Sequence, residues 1–145
     1  MAVEIDVECH QRPDPGTLAR LAGFVMRALL AAPGTEVTVM EEGETWTFHY
    51  GDGARVITFL WPPGRHFAVK WYLTFMPGSR GEPVPELLMI ILSVTAGLLT
   101  DGTLNDDNYP CERTDLHPET MLAQVLKWAP LEPEAAVRLL STGRP

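Results

Sequence analysis

The side chains with the most chemical potential fall in one stretch, Asp101-Gly102-Thr103-Leu104-Asn105-Asp106-Asp107-Asn108-Tyr109-Pro110-Cys111-Glu112. Counted from Asp101, oxygen-bearing side chains occupy positions 1, 3 and 5, and Glu112 occupies position 12. That is the spacing with which an EF-hand loop collects oxygen ligands around calcium. The rest of the loop departs from the pattern. The sharp-turn glycine is replaced by Asp106, the aliphatic position by Asn108, and Pro110 restricts the backbone. No good helix follows at once, so calcium is not assigned. Two readings remain: a solvated acidic loop, or a docking loop. In the second, Asp101, Asp106, Asp107, Glu112 and Asp115 steer a partner, and Tyr109, with Leu104 nearby, anchors it. A second acidic group, Glu41, Glu42 and Glu44, lies at a turn. It protects a sheet edge, or extends the docking surface if the fold brings it near residues 101–115.

Other chemistries find little footing. The four histidines, His10, His49, His66 and His117, share no metal-ligand spacing, and a zinc site needs about four convergent donors. Serine occurs only at Ser79, Ser93 and Ser141, none in a nucleophile elbow. Gly51-Asp52-Gly53 lacks the length and the lysine of a phosphate-cradling loop. No catalytic residue, cofactor or metal is therefore expected.

Charge narrows the class of partner. The 145 residues carry a net charge of −8, and residues 82–145, with four basic and ten acidic groups, supply −6 of it. Such a field repels nucleic acid and favours a basic protein partner. Two cysteines, Cys9 and Cys111, suit a reducing compartment. The N-terminus lacks a basic region and an apolar run, so no secretory signal is expected there. The longest uncharged stretch, 87–100, has 14 residues, short of the roughly 20 that span a bilayer. These features point to a soluble, cytoplasmic protein without a membrane partner. Arginine outnumbers lysine nine to two, a bias of GC-rich bacterial genomes.

The elements that must position these residues follow from hydrophobic period. Val3, Ile5, Val7 and Cys9 alternate with Glu4, Asp6, Glu8 and His10, a strand with one wet face. Asp14-Pro15 opens a helix with Leu18, Leu21, Ala22, Val25, Met26, Leu29 and Leu30 on one face, and Pro33-Gly34 stops it. Four strand candidates follow. One begins at Val37 and turns at Glu42-Gly43. The next sets Trp46, Phe48 and Tyr50 on one face and turns at Gly51-Asp52-Gly53. The third, 55–61, is apolar on both faces and reads as central. The fourth runs from Phe67 through Val69, Trp71 and Leu73 to Phe75.

Pro83, Pro85 and Glu86 mark a helix start, and 87–99 is apolar all round. A buried helix is expected there, although its β-branched residues also suit a buried strand. Residues 100–117 form an acidic loop with room for a short hairpin, and helices follow His117-Pro118 and Glu132-Pro133. The result is one α+β domain: a single antiparallel sheet, order β-α-β-β-β-β-α, with helices packed on one face and C-terminal helices. Nine of the twelve aromatic residues lie between Trp46 and Phe75. Most belong to the core, and some line the outer face of the sheet.

In size, acidity, lack of catalytic motifs, element order and the segment Gly97-Leu98-Leu99-Thr100-Asp101-Gly102 leading into Asp106-Asp107, the chain resembles small bacterial immunity proteins. The resemblance implies an inhibitor that binds a cognate toxin in the cytoplasm and occludes its active site. Two other classes fit the same character. One is a small acidic secretion chaperone, usually dimeric, although such chaperones begin with a helix. The other is a small-molecule-binding domain or enzyme with an aromatic-lined pocket. The sequence leaves the oligomeric state open.

Overall fold

The structure, a computed structural model, describes residues 4–31, 35–51, 53–64, 70–79, 81–105 and 116–144. In chain order these form β1 (Ile5–Cys9), α1 (Pro15–Leu29), β2 (Val37–Glu42), β3 (Thr45–Tyr50), β4 (Ala54–Trp61) and β5 (Trp71–Pro77). Then come α2 (Pro83–Thr100), β6 (Thr103–Leu104), α3 (Pro118–Lys127) and α4 (Pro133–Thr142). The six strands make one antiparallel sheet in the order β2-β3-β4-β5-β1-β6, so the architecture is α+β. Short turns join β2, β3 and β4, and β5 completes the meander. Val3, Pro33, Gly34, Asp52, Phe67 and Val69 lie outside the described residues.

Local chemistry sets the first helix. Asp14 caps α1, accepting hydrogen bonds at 2.9 Å from both the backbone N–H and the hydroxyl of Thr17. Those bonds hold its carboxyl below the ordinary aspartate range. Leu18, Ala22, Met26 and Leu29 then point into the core at helical spacing. At the other end the chain turns extended at Leu30, which bridges to Leu131. In β3, Trp46, Phe48 and Tyr50 are all buried, and the rings of Trp46 and Phe48 meet edge to face at 6.4 Å.

Helix α2 settles the choice between helix and strand over 87–99. The stretch is helical, and other elements surround it. β1, β4 and β5 cover one side, and α1, α3 and α4 cover the others. Thirteen of its residues are buried. Its hydroxyls are satisfied within the helix: Ser93 donates to the Met89 carbonyl at 2.7 Å, Thr95 to Ile91 at 2.8 Å and Thr100 to Ala96 at 2.7 Å. By length and composition α2 could cross a membrane, yet 72% of that window is buried inside the fold. Burial accounts for its apolarity.

Two expectations need correction. The outward face of the first strand is wet at Glu8 but not at Asp6, which is only 6% exposed. β1 is interior, flanked by β5 and β6, and Asp6 pairs across from Thr74 and accepts its hydroxyl hydrogen bond at 2.8 Å. Within the acidic stretch expected as a loop, the described part also holds a strand. Thr103 and Leu104 form a two-residue strand that pairs with Glu8 and Val7 of β1 rather than with a neighbour in sequence. The aromatic residues divide as expected. Phe59, 36% exposed, shares the outer face with Trp61 and Tyr72, while Trp46, Phe48 and Phe75 lie under the helices.

Two glycines let α2, β6 and α3 meet. Gly102 donates its N–H to the Gly97 carbonyl at 2.8 Å, and a Cβ on Gly102 would fall on the Glu8 carbonyl oxygen. A Cβ on Gly97 would sit 2.8 Å from Pro118 Cγ. Because the obstacle at Gly102 is backbone, Gly102→Ala is expected to cost about 1–3 kcal/mol, as overpacking does. Urea unfolding will show this as a lower midpoint at unchanged slope. An unaltered midpoint would mean that the close approach is absent.

Candidate functional site

Where α2 ends, a left-handed residue turns the chain. Asp101 adopts φ 50° and ψ 42°, a conformation that aspartate tolerates better than most residues, and its N–H bonds the Gly97 carbonyl. The turn carries the chain through Gly102 into β6, at one edge of the sheet. There it opens a cleft of about 750 Å³ between β1, β6, the end of α2 and the start of α3.

Three carboxylate residues from three elements line this cleft: Glu8 from β1, Asp101 from the α2 terminus and Glu119 from the first turn of α3. No lysine or arginine appears among its described lining residues. Asn105 and Leu116 also line it.

The rim is fixed by a polar network on the outer face of the sheet. The Asn105 N–H donates to the Asp6 carbonyl at 2.9 Å, and its side-chain amide donates to the Tyr72 hydroxyl at 3.2 Å. Tyr72 stands across from Glu8 in the β1–β5 register. Desolvation, then the negative charge of Asp6, push the Tyr72 hydroxyl up to about 12. A neutral phenol there can both accept from Asn105 and donate, which the anion cannot.

Of the six residues assigned to docking, the structure places one, Asp101, exposed on the cleft. Asp106, Asp107, Tyr109, Glu112 and Asp115 lie outside the described residues, as does Cys111. Glu41, Glu42 and Glu44 are not brought to this site. Glu41 and Glu42 end β2, the opposite edge of the sheet, five strand spacings or roughly 24 Å away, and Glu44 lies in the turn that follows. Instead Arg12 reaches Glu41 at 3.8 Å and lies 5.3 Å over the Trp46 ring. Cys9 is a fully buried core residue, its thiol pushed up by desolvation.

Glu8 and Glu119 were missed as cleft residues. Each had only a local signal in sequence, an outward position on a strand and an acid in a helix's first turn. Their convergence depends on β6 pairing with β1. Among the described residues, no three His, Cys, Asp or Glu side chains group to hold a metal ion.

The chain matches no known family model, no curated protein and no solved structure.

The raised Tyr72 titration gives a pH dependence. Its folded value lies above the unfolded value of 10, so its contribution to stability is intact below pH 10 and is lost as pH rises from 10 to about 12. Asp6→Asn removes the second-largest cause and should bring Tyr72 ionisation to lower pH. Ultraviolet titration of phenolate absorbance, with Tyr72→Phe identifying the Tyr72 component, reads the shift directly. An unchanged Tyr72 titration in Asp6→Asn would contradict the coupling.

Proposed function

We propose that this is a cytoplasmic protein-binding inhibitor, of the immunity-protein kind, that neutralises a basic toxin-like partner by covering its active site. The observation that carries the reading is the sheet-edge cleft, which Glu8, Asp101 and Glu119 line with no lysine or arginine among its described lining residues. The sequence between Asn105 and Leu116 adds Asp106, Asp107, Glu112 and Asp115 against a single Arg113. Carboxylates focused in a concave surface raise the encounter rate of a basic partner, and the effect fades once the Debye length, about 10 Å at 0.1 M salt, falls below their reach. Tyr109 serves as the apolar anchor of the complex, since steering charges give rate and register more than affinity.

A tagged pull-down from the native organism, washed in parallel at low and high salt, tests the reading. One stoichiometric basic protein, held more weakly at high salt, supports it, and no partner at either salt overturns it. With that protein in hand, Asp101→Asn combined with Asp106→Asn and Asp107→Asn should slow association by about tenfold at low salt and little at high salt. Asparagine also tolerates the left-handed conformation of residue 101, so the fold is retained. Stopped-flow association rates that do not change at low salt would remove the steering role.

A further inference from the structure

A groove of about 400 Å³ between α1, α2 and α3 is lined by apolar side chains, and its described lining carries no charge that would select an occupant. The outer face of the sheet differs, because there aromatic rings and carboxylates stand side by side. Strand register fixes their arrangement. Trp61 lies across from Tyr72, and Tyr72 across from Glu8, in one row over β4, β5 and β1. The adjacent row sets Phe59 across from Thr74, and Thr74 across from Asp6. Phe59 and Tyr72 are therefore diagonal neighbours, roughly 7–8 Å apart, and Glu8 stands directly opposite Tyr72 at roughly 5 Å between Cβ atoms.

Phe59 and Glu8 are exposed, and Tyr72 and Trp61 are half-buried. The Tyr72 ring is held by the Asn105 amide at its hydroxyl. Asp6 is buried and accepts the Thr74 hydroxyl, whereas Glu8 has no ion-pair partner among the described residues. The charges that act on the Tyr72 hydroxyl are those of Asp6 and Glu8. Arg55, two rows from Phe59 on β4, and Lys70, just before β5, are not among them.

We infer that this corner of the sheet receives an arginine side chain of the basic partner, its guanidinium laid over Phe59 and Tyr72 and hydrogen-bonded to the Glu8 carboxylate. A guanidinium is planar and weakly hydrated, so it can stack on rings while its N–H groups donate in plane to a carboxylate. The negative faces of the rings and the charge of Glu8 then attract the same cation. A lysine ammonium would gain from Glu8 but would keep more of its water and stack less. The inference rests on the proposed binding of a basic partner and names a side chain that the surface takes. Glu8 also lines the cleft, so the arginine seats beside it. An anionic bilayer fits poorly, because Glu8 would face its headgroups.

Hexa-arginine and hexalysine amides test the inference without the native partner. They are titrated into the full chain at about 0.1 M salt, where long-range attraction is largely screened, and followed by ring and backbone NMR shifts. Hexa-arginine should bind about tenfold more tightly and move the Phe59 and Tyr72 ring resonances. Phe59→Ala, a change at an exposed position, should bring hexa-arginine to the lysine level and leave hexalysine unaltered. Glu8→Gln should weaken both peptides, and Tyr72→Phe, which keeps the ring, should retain the arginine preference. Equal affinities in the unaltered protein, no binding of either peptide, or an arginine preference that survives Phe59→Ala overturns the inference. So does light scattering that finds a dimer which Phe59→Glu dissociates, because a second copy then covers this face. The parent reading fails separately, in the pull-down: a basic partner held equally well by Phe59→Ala keeps that reading and removes this site.

Discussion

The burial of α2 on every side is the constraint around which the other elements are arranged. An eighteen-residue helix with almost no polar surface needs apolar neighbours all round, and each fully buried leucine or isoleucine contributes roughly 1.5–3 kcal/mol. The sheet alone covers one side. α1, α3 and α4 close the rest, which is why two short C-terminal helices follow in the chain. Neither could bury its own apolar stripe without α2 to pack against.

That packing also decides where the charges go. After Glu86 in its first turn α2 holds no acidic residue, and carboxylates flank its end, at Asp101 and on the elements that meet there, Glu8 and Glu119. Gly102 lets its backbone approach the Glu8 carbonyl and Gly97 leaves room for the Pro118 ring, so carboxylates from three separate elements border one opening. On the far side of the helical layer, α1 keeps its arginines on the crest, because its opposite stripe is committed to the core. A chain of net charge −8 therefore presents one acidic concavity and one apolar groove.

Much of the architecture was legible from residue pattern. Alternation of Trp46, Phe48 and Tyr50 marked β3 and its buried face, and Asp14-Pro15 marked the start of α1. The apolar run of 87–99 was legible as a core element but ambiguous in type, since periodicity disappears when all sides are buried. The candidate site was legible only in part. Asp101 was recognised from its place in an acidic stretch, whereas Glu8 and Glu119 lie far from it in sequence. Asp6 was misread for a related reason: alternation assigns a face to a residue but does not say whether a neighbouring strand and its hydroxyls cover that face.

By itself, the sequence determined what depends on short-range physics. It set the hydrophobic period of each element, the cap at Asp14 and the turn at Gly51, the acidity of the second half and the lack of a nucleophile motif. Tertiary structure alone decided what depends on contacts between distant segments. Pairing of β6 with β1 made a cleft, separation of β2 and β6 to opposite edges kept the two acidic groups apart, and the close arrangement of α1 and α3 over α2 opened a groove. Local preferences are summed over neighbours within a few residues, while these placements come from burying one apolar helix among partners up to a hundred positions apart.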